Sequence, residues 1–393
     1  MAIAQKIETM IERSSWIRKM FEEGARLKAL HGADNVFDFS LGNPNMPPPD
    51  RFREVLRETV DSCGLGDHCY MPNTGYPQVC QSVAGYLSGE QGVELEPADV
   101  LMTCGAAGGL NVILKTLLNP GDEVIALAPY FVEYGFYADN HGGVLKTVPT
   151  REDFTLDLDA IAGAISERTK VVLVNSPNNP TGQIYSAESL TALGDLLRDR
   201  SAAVGHAIYL VSDEPYRKIT FDGVIVPSIF AVYEESLVTS SYSKDISIPG
   251  ERMGYAAINP RSSDRLALRN GMALANRILG YVNAPALMQR VVAHLQGMSV
   301  DISAYQRKRD LLCDGLAERG YTFVRPRGAF YLFPRTPTKD DVAFVRALQE
   351  ERILAVPGSG FGGPGHFRIA FCVADETITG AMPGFARALD GFK

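Results

Sequence analysis

The sequence predicts an α/β protein, a mainly parallel sheet covered by helices with a smaller α+β domain beside it. Three observations carry this. At 393 residues the chain exceeds what one small core accommodates, so two domains are expected. From Val100 to Asn259 strand-like and helix-like stretches alternate, the order that builds parallel sheets. After Pro285 the pattern changes to amphipathic helices and hairpin-like segments. The expected division is 50–285 for the large domain, and 1–49 with 286–393 for the small one.

The elements follow in order. Residues 8–31 read as a helix, with Ser14 or Ser15 as N-cap and Trp16, Ile17, Met20 and Phe21 on one face, ending near Gly32. Residues 36–41 form a short strand. The run GNPNMPPPD is then an extended crossing, because consecutive prolines cannot continue a helix. A polar helix over 51–62, the loop YMPNTGYP and a helix through Leu87 come next. Residues 100–103 make a strand, Gly105 a turn, and Ala106 opens a helix rich in alanine, leucine and isoleucine. A helix start reached in this way leaves free N–H groups aimed at one point, which suits an anion. Many such units bind nothing.

Strands at 123–127 and 143–149, a helix at 158–165 and a central strand at 170–175 extend the alternation. The loop SPNNPTGQ leads into a helix over 186–198, and the strand 207–212 ends in DEPY. Strands at 237–240 and 253–259 flank SSYSKDISIPGER. Beyond 285 the pattern gives helices over 286–296 and 304–319, a hairpin-like TFVRPRGAFYLFP and a helix over 339–351. Two strands around the glycine-rich loop of ILAVPGSGFGGPGHFRIAFCV and a last helix over 375–389 complete the chain. Open α/β sheets bind ligands beyond the carboxyl ends of their strands. Asn179, Asp213 and Lys244 each lie just past such an end.

Composition narrows the function classes. With 46% hydrophobic and 21% charged residues the chain is an ordinary globular one. A net charge of −8 argues against nucleic acid or an anionic membrane as the main partner. No apolar run approaches the ~20 residues of a membrane span, and MAIAQKIETM lacks the apolar core of a signal peptide. Cysteines 63, 69, 80, 104, 313 and 372 have no metal-ligand spacing, so reduced thiols of a cytoplasmic protein are expected, with no metal site.

The chemistry concentrates between two strands. Lys244 is flanked by Ser241 and Ser243, with Arg252 eight residues on. An amine, a guanidinium and hydroxyls suit a ligand carrying both a carbonyl and a phosphate: lysine condenses with the carbonyl, while arginine and serine hold the dianion. The same residues also fit a solvated loop.

Across the segment Gly42 to Arg368, NNPTG, DEPY (34 residues from Asn179 to Asp213), SYSK and the following arginine together resemble the class I/II aminotransferases. These are pyridoxal 5'-phosphate enzymes of fold-type I in the aspartate aminotransferase superfamily. The resemblance implies that Lys244 forms a Schiff base with the cofactor and shuttles the substrate proton. It implies that Asp213 pairs with the ring nitrogen, and that Asn179 and Tyr216 donate to the ring oxygen. Phe131 would stack on the ring. Ala106, Ala107, Ser241, Ser243 and Arg252 would hold the phosphate, and many relatives carry a hydroxyl or amine side chain where one of the two alanines stands here. Tyr70 matches a tyrosine that reaches the neighbouring subunit's phosphate, which implies a homodimer. Gly42 would let the backbone approach the substrate, Arg368 would clamp its α-carboxylate, and Arg277 is a candidate for a second carboxylate. Other roles exist for these residues: a helix cap for Asp213, a turn for Asn179, core packing for Tyr216 and Phe131, and surface positions for Arg368 and Arg277.

The implied activity is transfer of an amino group between an L-amino acid and a 2-oxo acid, of aspartate or glutamate type. A C–S lyase or decarboxylase on the same scaffold is the alternative. A silent cofactor-binding protein is disfavoured by the intact Lys244.

Overall fold

Alternation along the strands builds the centre of the molecule. Val124, Ala126, Val171, Leu173, Val211, Leu237 and Ala256 face one side of a seven-stranded sheet, and Ile125, Leu127, Val172, Val174, Leu210, Val238 and Ala257 face the other. Successive residues point to opposite faces, so runs that are apolar throughout require helices on both sides. This computed structural model describes residues 2–13 and 16–392, with side chains omitted for 12–22. The expected cap at Ser14 or Ser15 lies outside the described residues, and so do the side chains of Trp16, Ile17, Met20 and Phe21.

The strand order is Val100–Cys104, Met253–Ile258, Ser236–Ser241, Tyr209–Asp213, Thr169–Asn175, Glu123–Ala128, Val144–Pro149. All pairings are parallel except those of Met253–Ile258, which runs antiparallel to both neighbours. The register sets Asn175 beside Asp213 and Asp213 beside Thr239. The carboxyl ends of three strands therefore finish together, and the functional loops leave from that edge.

The second body has its own core of Phe330, Phe333, Phe344, Phe361, Phe367 and Phe385. Phe37–Asp38 pairs in parallel with Ile353–Leu354, which ties the N-terminal region to the C-terminal one. Val356–Pro357, Phe367–Ala370 and Tyr331–Leu332 form an antiparallel sheet. Only Tyr331–Leu332 of the expected hairpin is a strand, because Pro326 and Pro334 lack donors and Gly328 weakens pairing. Of the expected helix over 8–31, the described residues on both sides of 14–15 are helical, in Gln5–Arg13 and Trp16–His31. The helix Ala286–Ala293 buries Met288, Val291 and Val292 in the large sheet's core, whereas Val300 and Tyr305 pack in the second core.

Candidate active site

The loops leaving the strand ends, with Leu41–Gly42 and Arg368 from the second body, enclose a cavity of about 380 Å3. Gly42, Ala106, Ala107, Phe131, Asn179, Asp213, Tyr216, Ser241, Ser243, Lys244, Arg252 and Arg368 all line it. Positions spread over more than three hundred residues of sequence thus meet in one space.

Lys244 sits in the short helix Tyr242–Asp245 that follows the strand Ser236–Ser241. The next residue fixes it: buried Asp245 pairs with Lys218 at 3.1 Å, and its carbonyl accepts from the Val300 N–H at 2.7 Å. Lys244 Nζ donates to the Gly42 carbonyl at 2.8 Å. Burial lowers its pKa to about 8, with the Arg368 and Arg252 charges acting in the same direction. The amine is therefore substantially neutral in mildly alkaline water.

Asp213, at the end of its strand, is buried. Its Oδ2 accepts from the Tyr134 hydroxyl at 2.7 Å, whereas Oδ1 has no partner among the described residues. Burial raises its pKa to about 7; the Tyr134 hydrogen bond opposes this and the Glu214 charge adds to it. A buried carboxylate with one empty acceptor costs free energy unless a donor or cation meets it. Asn175 Nδ2 holds the Asp213 carbonyl at 2.8 Å, while Asn175 Oδ1 takes the Asn179 N–H at 2.7 Å.

Arg368 is 3% exposed. One terminal nitrogen donates to Asn179 Oδ1 at 3.1 Å and the other to the Ser40 carbonyl at 2.7 Å, and Nε has no partner. The guanidinium lies 4.8 Å from the Tyr331 ring centroid and 4.6 Å from that of Phe361. No carboxylate among the described residues pairs with it. Burial pulls its pKa below the ordinary arginine value. A buried guanidinium without a counter-charge that opens on a cavity suits an anion.

At the opposite wall the helix Gly105–Leu117 begins without a side-chain cap. Gly105 has φ +71°, and a Cβ there would stand 2.9 Å from a terminal nitrogen of Arg252. The glycine admits the guanidinium to the N–H groups at the helix start. Arg252 also donates to the Pro249 carbonyl at 2.9 Å. Tyr216 and Tyr331 share a hydroxyl–hydroxyl bond of 2.9 Å, and a Cβ on Gly42 would collide with the Tyr331 hydroxyl.

Tyr70 and Arg277 stand apart from this cavity. Tyr70 is 91% exposed, and Arg277 is exposed near the end of the helix Arg265–Ile278. Sequence reasoning did not single out Tyr134, Tyr331, Asn175, Glu133 or Tyr137. Helical spacing in PYFVEYGFY offered a signal for part of this set, since Phe131, Tyr134 and Tyr137 recur every third residue. Among the described residues no cluster of three histidine, cysteine or acidic groups could hold a metal ion, and no helix is long and apolar enough to cross a membrane.

Comparison with known proteins adds a second line of evidence. The family model described as aminotransferase class I and II matches residues 34–383. The aspartate/prephenate aminotransferase of Thermus thermophilus is 32% identical over 356 residues, covering 89% of this chain and 90% of that protein. The aspartate aminotransferase of Geobacillus stearothermophilus is 31% identical over 388 residues, covering 94% of each. Among solved structures, an amino transferase from Eubacterium rectale superposes with a TM-score of 0.97 at 38% identity, covering 100% of both chains. Thermus thermophilus aspartate aminotransferase with maleate gives 0.87 at 28% identity, covering 99% of this chain and 100% of that one.

Proposed function

This chain belongs to the class I and II aminotransferase family, and on that premise we propose that it works with pyridoxal 5'-phosphate held between Lys244 and Asp213. The observation that carries the reading is the pair of unmet demands flanking Lys244: Asp213 Oδ1 without a donor and Arg368 without an anion. The residues present fit the group. Asp213 suits a protonated ring nitrogen, Phe131 offers a ring face, and Asn179 and Tyr216 suit the ring oxygen. Ser241, Ser243, Arg252 and the helix start at Ala106 and Ala107 suit the phosphate. When bound, the cofactor supplies an aldehyde that takes up the amino group and a ring that accepts the electron pair left on the substrate Cα.

The chain's own residues do the rest. Arg368 orients the substrate by its α-carboxylate, which every α-amino acid carries. Lys244, with its amine shifted toward neutrality, accepts the proton from the substrate Cα and returns one to the product-forming carbon. Asp213, held by Tyr134 and Asn175, keeps the facing ring nitrogen protonated. Gly42 allows the backbone to approach the substrate, and its carbonyl steadies the Lys244 ammonium before reaction. The aromatic walls formed by Phe131 and Tyr331 limit water around these charges, which strengthens each contact.

Aspartate or another dicarboxylic donor is the substrate class we favour, supported by the names of the two relatives and by maleate, a dicarboxylate, in the Thermus structure. Arg277 is exposed on its own chain, so it could meet a second carboxylate only at a partner subunit's cavity. A homodimer is supported by the exposure of the apolar side chains Leu65, Tyr70, Leu266 and Ile278. All six cysteines are free thiols, which supports a reducing, cytoplasmic setting. The test is a screen of amino donors against 2-oxo acids, with wild type and Arg277→Ala compared. Aspartate and glutamate should lead, and the variant should lose at least tenfold in kcat/KM for them relative to alanine. Equal losses for both classes would remove Arg277 from substrate recognition.

A further inference from the structure

At the anion end of the cavity Ser241, Ser243 and Arg252 offer side-chain donors, but the helix start itself offers none. Gly105, Ala106 and Ala107 open the helix Gly105–Leu117 with no side chain capping it, and neither alanine has a polar atom to offer. A phosphate monoester presents three acceptor oxygens, so a neutral donor beside the helix start would be used. Tyr137 stands in the helix Glu133–Asn140 and lines the same cavity as Ala106, Ala107 and Arg252. Its hydroxyl makes no hydrogen bond to the described residues and is not one of the fully enclosed unpaired polar atoms, so it is open to what fills the cavity. The hydroxyl is therefore free to donate to a group that enters there. Burial, with Glu133 and Asp213 nearby, holds the phenol well above its ordinary pKa, while Arg252 opposes. The hydroxyl therefore stays protonated and donates. Glu133, one turn earlier on that helix, lines the cavity as well.

We propose that the Tyr137 hydroxyl supplies the side-chain hydrogen bond to the cofactor phosphate that Ala106 and Ala107 cannot make. This rests on the pyridoxal phosphate reading above and extends it to a residue that no motif marks.

The experiment separates the phosphate from the ring. Cofactor-free wild type and Tyr137→Phe are titrated spectrophotometrically with pyridoxal 5'-phosphate and, separately, with pyridoxal, which lacks the phosphate. Loss of one hydrogen bond to a charged oxygen should weaken the phosphate ester about tenfold or more and leave pyridoxal unchanged. Equal weakening of both ligands would give Tyr137 a packing role and overturn the proposal, as would no change in either. Should the phenylalanine variant fail to fold, Tyr137→Met removes the hydroxyl with a flexible apolar side chain and allows the same comparison. Wild type that takes up neither ligand would contradict the cofactor reading itself, a different failure from one confined to the variant.

Discussion

In the proposed reading Lys244, Asp213 and Arg368 set the chemistry at the residue scale, and each is held in a state that solvent would not favour. Lys244 is shifted down to about pH 8 by burial, and only the neutral amine attacks a carbonyl. Uptake of the cofactor by cofactor-free protein should therefore quicken as pH rises and level off above about 8, two units or more before an ordinary lysine would. Stopped-flow absorbance against pH reads this, and an inflection near 10.5 would deny that Lys244 is the attacking group. The same shift affects stability. Between about 8 and 10.5 the unfolded chain holds a proton that folded Lys244 has released, so this group makes the cofactor-free protein more stable as pH rises through that window. Arg368→Ala should lower kcat/KM for every amino acid alike, by roughly 2–5 kcal/mol, because it removes the buried receptor for the group all substrates share. Steady-state kinetics on one acidic and one apolar donor decide it; a loss confined to one donor would contradict the assignment. Lys244, Asp213, Asn179 and Arg368 were legible in sequence because each lies in a distinctive short motif. Tyr134 and Tyr331 were not, since they reach Asp213 and Tyr216 from 79 and 115 residues away, a proximity only the fold creates.

At the scale of elements, the cavity exists because a strand, a turn and a helix start approach more closely than side chains permit. Gly254 is one tight point: a Cβ there would lie 2.5 Å from the Ser240 carbonyl oxygen and 2.6 Å from the Gly105 carbonyl carbon, both backbone atoms that cannot swing away. Gly254→Ala should therefore cost about 1–3 kcal/mol of stability, and by pushing back the Gly105 turn it should also weaken cofactor retention. Thermal unfolding and the amount of cofactor kept after gel filtration measure the two effects; a variant matching wild type in both would show that the turn yields without consequence. Most strands of the large sheet were readable from their apolar runs to within a residue or two. The helix Arg265–Ile278 was not anticipated, because Arg265 and Arg269 point inward to buried Asp99 at 2.7 and 2.8 Å and Gly271 interrupts the pattern. Likewise, a purely apolar reading of Ala286–Ala293 does not say which of two cores will receive it.

On the scale of the whole molecule, one chain supplies a cavity, while two of the residues implicated by resemblance face outward. Tyr70 at 91% exposure gains a function only if a second copy covers it. Leu65, Leu266 and Ile278 are exposed apolar side chains of the kind a partner can bury. Sedimentation should find a dimer, and Tyr70→Phe should weaken cofactor affinity about tenfold while leaving that dimer intact. Full activity in a monomer would remove Tyr70 from the site. The central claim, amino-group transfer through Lys244, has a more direct test. Wild type and Lys244→Ala, each supplied with pyridoxal 5'-phosphate, are given nitrogen-15-labelled aspartate and 2-oxoglutarate, and label in glutamate is followed by mass spectrometry. Wild type should move the label into glutamate without free ammonia, and the variant should do so at least about 10²-fold more slowly. Near wild-type transfer by Lys244→Ala, or label released as ammonia by the wild type, would contradict the account.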